Sequence, residues 1–377
     1  MSEYQYYEFQ ALDRPLTPEA QVEMRRLSSR VNLTATSASF VYNYGDFRGD
    51  PYRVLAEHFD AMLYITNWST RQLRFRFPTH IIPDDVMKAY QYADNLEWAT
   101  EGEYVILNIE LRQEESDGEW IEEAGLLAGM VQVRDDVLRG DYRALYLAWL
   151  MIASCTLDFL EEELEEEDED LTEPRVPPNL QALSPALRNF IDFFGINDDL
   201  VTAAAQTSPK VGKNSAKLST YLDQLTESEQ RSFLERLLKG EPHLDIALAN
   251  RLRELSGTEK GVLPAGERRT IRQLVTASQS IRQQRLDAER RQAEIIRVKK
   301  LEKIAQQQDQ LWGRIPALIA QKRANTYEEA VSILKDLRDL AAHQQRLAEF
   351  QEKLAAIRSQ HPTLQGLHRR LKEARLI

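Results

Sequence analysis

Nine polar and aromatic residues near the start of the chain could together hold an anionic ligand: Asn43, Tyr44, Asp46 and Arg48, then Asn67 and Trp68, then Arg71, Arg74 and Arg76. Guanidinium groups grip carboxylates and phosphates through paired hydrogen bonds, an indole supplies a flat apolar wall, and amides fix orientation. In RQLRFRF, Arg74 and Arg76 alternate with Leu73, Phe75 and Phe77, so the two arginines share one face of a strand whose other face is buried. The competing reading is that they pair with neighbouring acids on a wet sheet face.

A second candidate lies late in the chain. Residues 267 to 300 carry ten arginines and lysines against four acids, a net +6. Arg282, Arg285, Arg290, Arg291, Arg297, Lys299 and Lys300 are its candidate polyanion contacts, able to follow a phosphate backbone. No aromatic residue interleaves with them and no known nucleic-acid module surrounds them, so an ordinary exposed Arg/Gln helix is the alternative. Its opposite is LEEELEEEDEDL, residues 160 to 171, with nine carboxylates. As a helix that run would repel itself at the (i, i+4) spacing, and it lacks the glycine turn of a calcium loop. It reads as a solvated hinge, with contact to a basic surface as the functional alternative.

Other chemistry is not signalled. Gly212-Lys213 lacks the rest of a phosphate loop, no Gly-x-Ser-x-Gly elbow occurs, and the six histidines include no HExxH pair. Pro362 interrupts the helix between His361 and His368, which argues against a metal pair there. Cys155 is the only cysteine, set among Ile152, Ala153 and Leu157 as a core thiol, so neither an intrachain disulfide nor a cysteine-rich zinc site is available. Asp84 and Asp85 follow Pro83 as acids at a helix start. Arg48-Gly49-Asp50 and the two Asn-x-Ser/Thr triplets at Asn32 and Asn67 matter only outside the cell. Metal, cofactor and catalytic residues are all predicted to be none.

The elements that would position these groups start with a strand at Tyr4 to Leu12 and a helix capped by Thr17 and opened by Pro18. A strand over 33–44 and a helix opened by Asp50-Pro51 follow. The clearest strand is Glu103 to Arg112, with Val105, Leu107, Ile109 and Leu111 inward, as in an antiparallel sheet with one wet face. Apolar helices at about Trp120 to Leu138 and Tyr142 to Phe159 should cover it. After TEPRVPP only helix signals remain: Ser184-Pro185, a Thr226/Glu229 capping box with Gly240 as a stop, and a Thr326/Glu329 capping box. One long helix is expected from about Glu267 to Gln310, and a second carries Leu340, Leu347 and Leu354 at spacings of seven. Pro316 and Arg323-Ala324-Asn325 between them could reverse the chain into a helical hairpin.

The fold class is therefore an α+β N-terminal domain followed by an all-α region with a long, coiled-coil-like C-terminal arm. The predicted divisions are 1–159, an acidic and Pro-rich hinge at 160–178, a helical region at 179–256, a linker at 257–266 and the arm at 267–377. Net charge is −12 for the whole chain, yet residues 1–200 carry −23 and residues 201–377 carry +11, which suggests modules with different electrostatic surroundings. The N-terminus has no basic-then-apolar leader, and Ala144 to Leu157 is too short to span a bilayer, so a cytoplasmic protein with no membrane partner is expected.

YYEFQALDRPLT, FRGDP, FDAMLYITNWSTRQLRFRFP and YEEAVSILKDLRDLA resemble a bacterial protein family without an assigned activity. The resemblance touches both ends of the chain and implies a bacterial cytoplasmic protein, with no functional residues to carry over. The sequence thus points to a non-catalytic interaction or scaffold protein that binds a protein partner through its helical arm, with oligomerisation open. The alternatives are a nucleic-acid-associated protein using 267–300 with the acidic run as regulator, and an enzyme of unfamiliar type with a site around Asp46, Trp68 and Arg74.

Overall fold

The computed structural model describes residues 4–43, 45–79, 81–92, 95–112, 125–160, 172–211, 218–256 and 268–377. The acidic run from 161 to 171, the linker at 257–266, Tyr44 and the start of the helix expected from Trp120 lie outside the described residues. The chain divides into two compact units, Met1–Arg282 and Gln283–Ile377.

Unit 1 is built on seven strands: β1 (Gln5–Gln10), β2 (Asn32–Leu33), β3 (Ser37–Tyr42), β4 (Ala61–Thr66), β5 (Thr70–Pro78), β6 (Leu96–Glu101) and β7 (Tyr104–Arg112). They form one antiparallel sheet in the order β2-β3-β1-β4-β5-β7-β6. Early helices are α1 (Pro18–Leu27), α2 (Pro51–His58) and α3 (Asp84–Tyr90). Thr17 accepts from Ala20 N and Asp50 from Tyr52 N, so the cap-plus-proline signals open α1 and α2 as read.

Alternation assigns the two faces. Tyr7, Phe9, Phe40, Met62 and Ile106 join Met24 of α1 and Leu55 of α2 in one core. Leu63, Leu73, Phe75, Phe77, Leu107 and Ile109 face a larger core on the other side. That core is covered by α4 (Gln132–Leu138), α5 (Arg143–Leu160), α6 (Pro185–Phe194) and α7 (Asp198–Ala205). Every residue of α5 from Ala144 to Ile152 is buried, as a helix apolar all round requires, and Cys155 is partly buried against the same core. Residues 180–204 share this one core with the sheet.

The wet face expected for the Glu103–Arg112 strand is not found. Ile106, Asn108 and Glu110 are buried like Leu107 and Ile109, because β7 lies between β5 and β6 and its polar side chains are satisfied within the sheet. Gln72 Nε2 donates to Glu110 at 2.8 Å and Arg74 Nε to Asn108 at 2.9 Å.

The rest of unit 1 holds α8 (Glu227–Leu238), α9 (Leu244–Leu255) and the start of α10 (Ile271–Gln306). The Thr226/Glu229 capping box is present, and α8 closes before Gly240, whose φ of 65° suits glycine. Thr172 pairs with Thr270 in an isolated antiparallel bridge. Beside it the buried Glu173 receives Arg269 Nε at 2.8 Å and the Tyr146 hydroxyl at 2.8 Å. Burial and the Glu173 charge push the Tyr146 hydroxyl far above the usual tyrosine range.

Unit 2 comprises the end of α10, α11 (Gln308–Ala320), α12 (Ala324–His343), α13 (Leu347–Gln360) and α14 (Gln365–Glu373). Its core includes Leu301, Ile315, Leu334, Leu340, Phe350, Leu354 and Leu367. The first expected long helix is α10, and the second is corrected to two shorter ones, α12 and α13. Pro316 sits inside α11 without ending it, and the reversal falls at Lys322, with φ 53°. The second helix breaks at Gln345, where Arg346 N bonds Ala341 O and Gln345 N bonds Ala342 O around a left-handed residue. Leu347 is accordingly 43% exposed, out of line with buried Leu340 and Leu354. Thr326 is not an N-cap either: α12 starts two residues earlier, and the Thr326 hydroxyl donates to Arg323 O inside its first turn.

Candidate functional site

A buried polar cluster of unit 1 is built from five residues, four of them outside the sequence-derived site. Asp60 lies between α2 and β4, 1% exposed, and its Oδ2 accepts the backbone N–H groups of Leu12 and Asp13 at 2.7 and 3.0 Å. Its Oδ1 accepts Arg76 Nη2 at 2.7 Å, and Arg76 Nη1 donates to Ala56 O at 2.6 Å. The Arg76 guanidinium lies over the Tyr104 ring at 4.3 Å. Arg134 of α4, 1% exposed, donates Nε to the Arg76 carbonyl at 2.7 Å and grips Asp13 with two bonds of 2.7 and 2.8 Å. His243, the residue before α9, completes the cluster with Nε2 at 2.9 Å from Asp13 Oδ2 and a φ of 58°.

Burial alone would raise the Asp13 carboxyl. Hydrogen bonds from His243 and Arg134, with the charge of Arg134, overcome that and hold it well below the usual carboxylate range. Beside the cluster opens a cleft of about 420 Å³ lined by Leu12, Asp13, Val131, Gln132, Asp135, Arg139, Pro242 and His243. Among the described residues neither serine nor cysteine lines this cleft beside the Asp13–His243 pair to act as a nucleophile. What the geometry provides is a clamp that ties the loop after β1, strand β5, helix α4 and the start of α9 together.

The sequence-derived ligand residues fall in three places. Asn43, Asp46 and Arg48 are exposed in the loop after β3, where Asp46 Oδ1 accepts Gln5 Nε2 at 3.3 Å. Asn67 and Trp68 form the β4–β5 turn; Asn67 Oδ1 accepts Tyr4 N at 3.0 Å and Trp68 is 43% exposed. Arg74 and Arg76 lie in the far half of β5, opposite Asn108 and Ile106 of β7. Arg74 also lies over the Tyr52 ring at 5.6 Å, and its burial lowers its pKa against the pull of Glu110. The structure brings Arg74 and Arg76 onto one face and keeps them apart from the Trp68 turn.

Along α10, no residue from Gln283 to Lys300 is buried. Four of the seven basic residues singled out there are paired: Arg285 with Glu289, Arg290 with Asp287, Arg297 with Glu294, and Lys300 with Asp336 of α12. Arg282, Arg291 and Lys299 have no ion pair among the described residues. His368 Nε2 meets the His361 carbonyl at 2.9 Å rather than the other ring. One group of metal-ligating side chains converges among the described residues, Glu23, Glu57 and His58. No described helix is long and apolar enough to cross a membrane.

Arg134 was missed because its apolar neighbours hide it: Val133, Val137 and Leu138 mark a core helix, and an arginine among them is the one available signal of a buried partner. That partner, Asp13, is 121 positions away. Comparison with known protein families, curated proteins and solved structures found no match to this chain.

Proposed function

We propose that this is a non-catalytic interaction or scaffold protein of the bacterial cytoplasm that holds protein partners on its helical surfaces. The observation that carries the reading is the ridge of α8. Leu234, Leu237 and Leu238 stand at the i, i+3 and i+4 spacing with exposures of 61%, 63% and 89%, on a helix with no buried residue. Such a stripe left in water is the signature of a surface that another protein covers. The unburied middle of α10, with Ile295 and Ile296 exposed side by side, supports the same reading in the C-terminal arm. The nucleic-acid reading has less support, because internal carboxylates already engage much of the basic stretch. The enzyme reading has less again, since Arg74 and Arg76 are engaged within the fold.

The test is affinity capture from the native bacterium with three full-length baits, with and without nuclease: unaltered protein, Leu234→Asp/Leu238→Asp, and a variant with Arg285, Arg290, Arg291 and Arg297 changed to Gln. Expected is a protein partner that survives nuclease and the arginine changes and is lost with the leucine changes. Recovery of nucleic acid that falls with the arginine changes, or capture indifferent to the leucines, would reject the reading.

A further inference from the structure

We propose that Glu23 of α1 and Glu57 and His58 of α2 form a binding site for a divalent transition-metal cation of the zinc class. His58 Nε2 lies 3.0 Å from Glu23 Oε2 and 3.7 Å from Glu57 Oε2, and one donor atom from each residue lies within 4.8 Å of the others. A zinc ion held tetrahedrally by imidazole nitrogen and carboxylate oxygen at bond lengths of roughly 2.0–2.2 Å places its donors roughly 3.3 Å apart. The two separations from the imidazole, 3.0 and 3.7 Å, lie on either side of that spacing and the carboxylate oxygens are within 4.8 Å of each other, so a small adjustment closes the set and the fourth position is left to water.

The surroundings favour such an ion. Arg53 Nε holds the other oxygen of Glu57, Oε1, at 2.7 Å, so that Oε2 is the one turned to the imidazole, the part an outer partner plays around a ligating carboxylate. His58 is the last residue of α2, at the negative end of its dipole. Met24, beside Glu23, and Leu55, two residues before Glu57, are fully buried in one core, so both helices are rigidly set. The imidazole selects a transition metal over calcium or magnesium, which prefer oxygen alone. The carboxylates are 48% and 42% exposed and the imidazole 17%, open enough for an ion to enter.

Zinc titration of the chelator-stripped full chain by calorimetry tests the proposal, with thermal unfolding as a second readout. One saturating equivalent and a raised unfolding midpoint are expected. Glu23→Gln and His58→Gln should each weaken binding at least about tenfold and remove the shift, whereas His343→Gln, at an exposed histidine of α12, should leave both unchanged. Because Glu23 is a surface residue, its variant tests the site even if the His58 change disturbs the fold. Absence of saturable zinc binding, or binding unchanged in the Glu23 and His58 variants, overturns it; a plain hydrogen bond between His58 and Glu23 predicts that result.

Discussion

Arg134 and Arg297 carry the same guanidinium in two different solvents. The side chain of the first is 1% exposed and donates to Asp13 and to a backbone carbonyl; that of the second is 59% exposed and reaches Glu294 one turn away at 3.4 Å. In the interior an unpaired charge has no water to fall back on, so loss of one partner strands the others. In the middle of α10 water replaces any partner at little cost, and the pairs serve mainly to support a stretch, Gln283 to Lys300, with no buried residue. A count of ion pairs would rank the two regions together, and burial separates them.

The largest effect should come from Arg134→Met, which takes both guanidinium bonds from the largely buried Asp13 carboxylate and removes a donor from the Arg76 carbonyl. A loss of about 3–5 kcal/mol is expected in urea unfolding. A result within the range of the α10 variants would break the comparison. Next, Glu173→Gln should cost about 1–3 kcal/mol, because half-buried Arg269 and buried Tyr146 lose their anionic acceptor.

The third prediction concerns acid. Because the folded Asp13 pKa is depressed, its contribution to stability is fully present above the unfolded carboxylate value of roughly 3.9 and is lost as pH falls through the lower folded value. Asp13→Asn should therefore unfold more easily at neutral pH, and the gap to the unaltered protein should narrow as pH falls below that unfolded value. A gap independent of pH would reject the assignment. The smallest effects belong to Arg285→Gln and Arg297→Gln, each within about 0.5 kcal/mol and shrinking further with added salt, read by thermal unfolding.

The same contrast explains what could be read in advance. Local signals were legible because their causes are local: alternation placed Leu73, Phe75 and Phe77 on a buried face, and Thr17, Asp50, Ser184 and Thr226 each cap the helix they precede. Strand β4, hidden in FDAMLYITNW, carries no period of two because both its faces are buried at the centre of the sheet. The helix break at Gln345 was also illegible, since no glycine or proline marks it. Of the polar cluster only Arg76 was singled out; Asp13, Asp60, Arg134 and His243 come from four separate parts of the chain. Nothing in single-residue chemistry states that Asp13 and His243, 230 positions apart, will meet.

The bridge between Thr172 and Thr270 has a topological meaning. Glu173 and Arg269 are 96 positions apart, so everything between them leaves one spot on the fold and returns to it. Closing an excursion of that length costs on the order of 4 kcal/mol of chain entropy, which a short bridge and a buried ion pair must offset. Once closed, the loop is indifferent to its own length: doubling it would add only about 0.6 kcal/mol. That tolerance belongs to the parts of the excursion outside the packed segment 180–204 and the His243 anchor, such as the part that presents α8, while the stitch at its base keeps the register of the remainder.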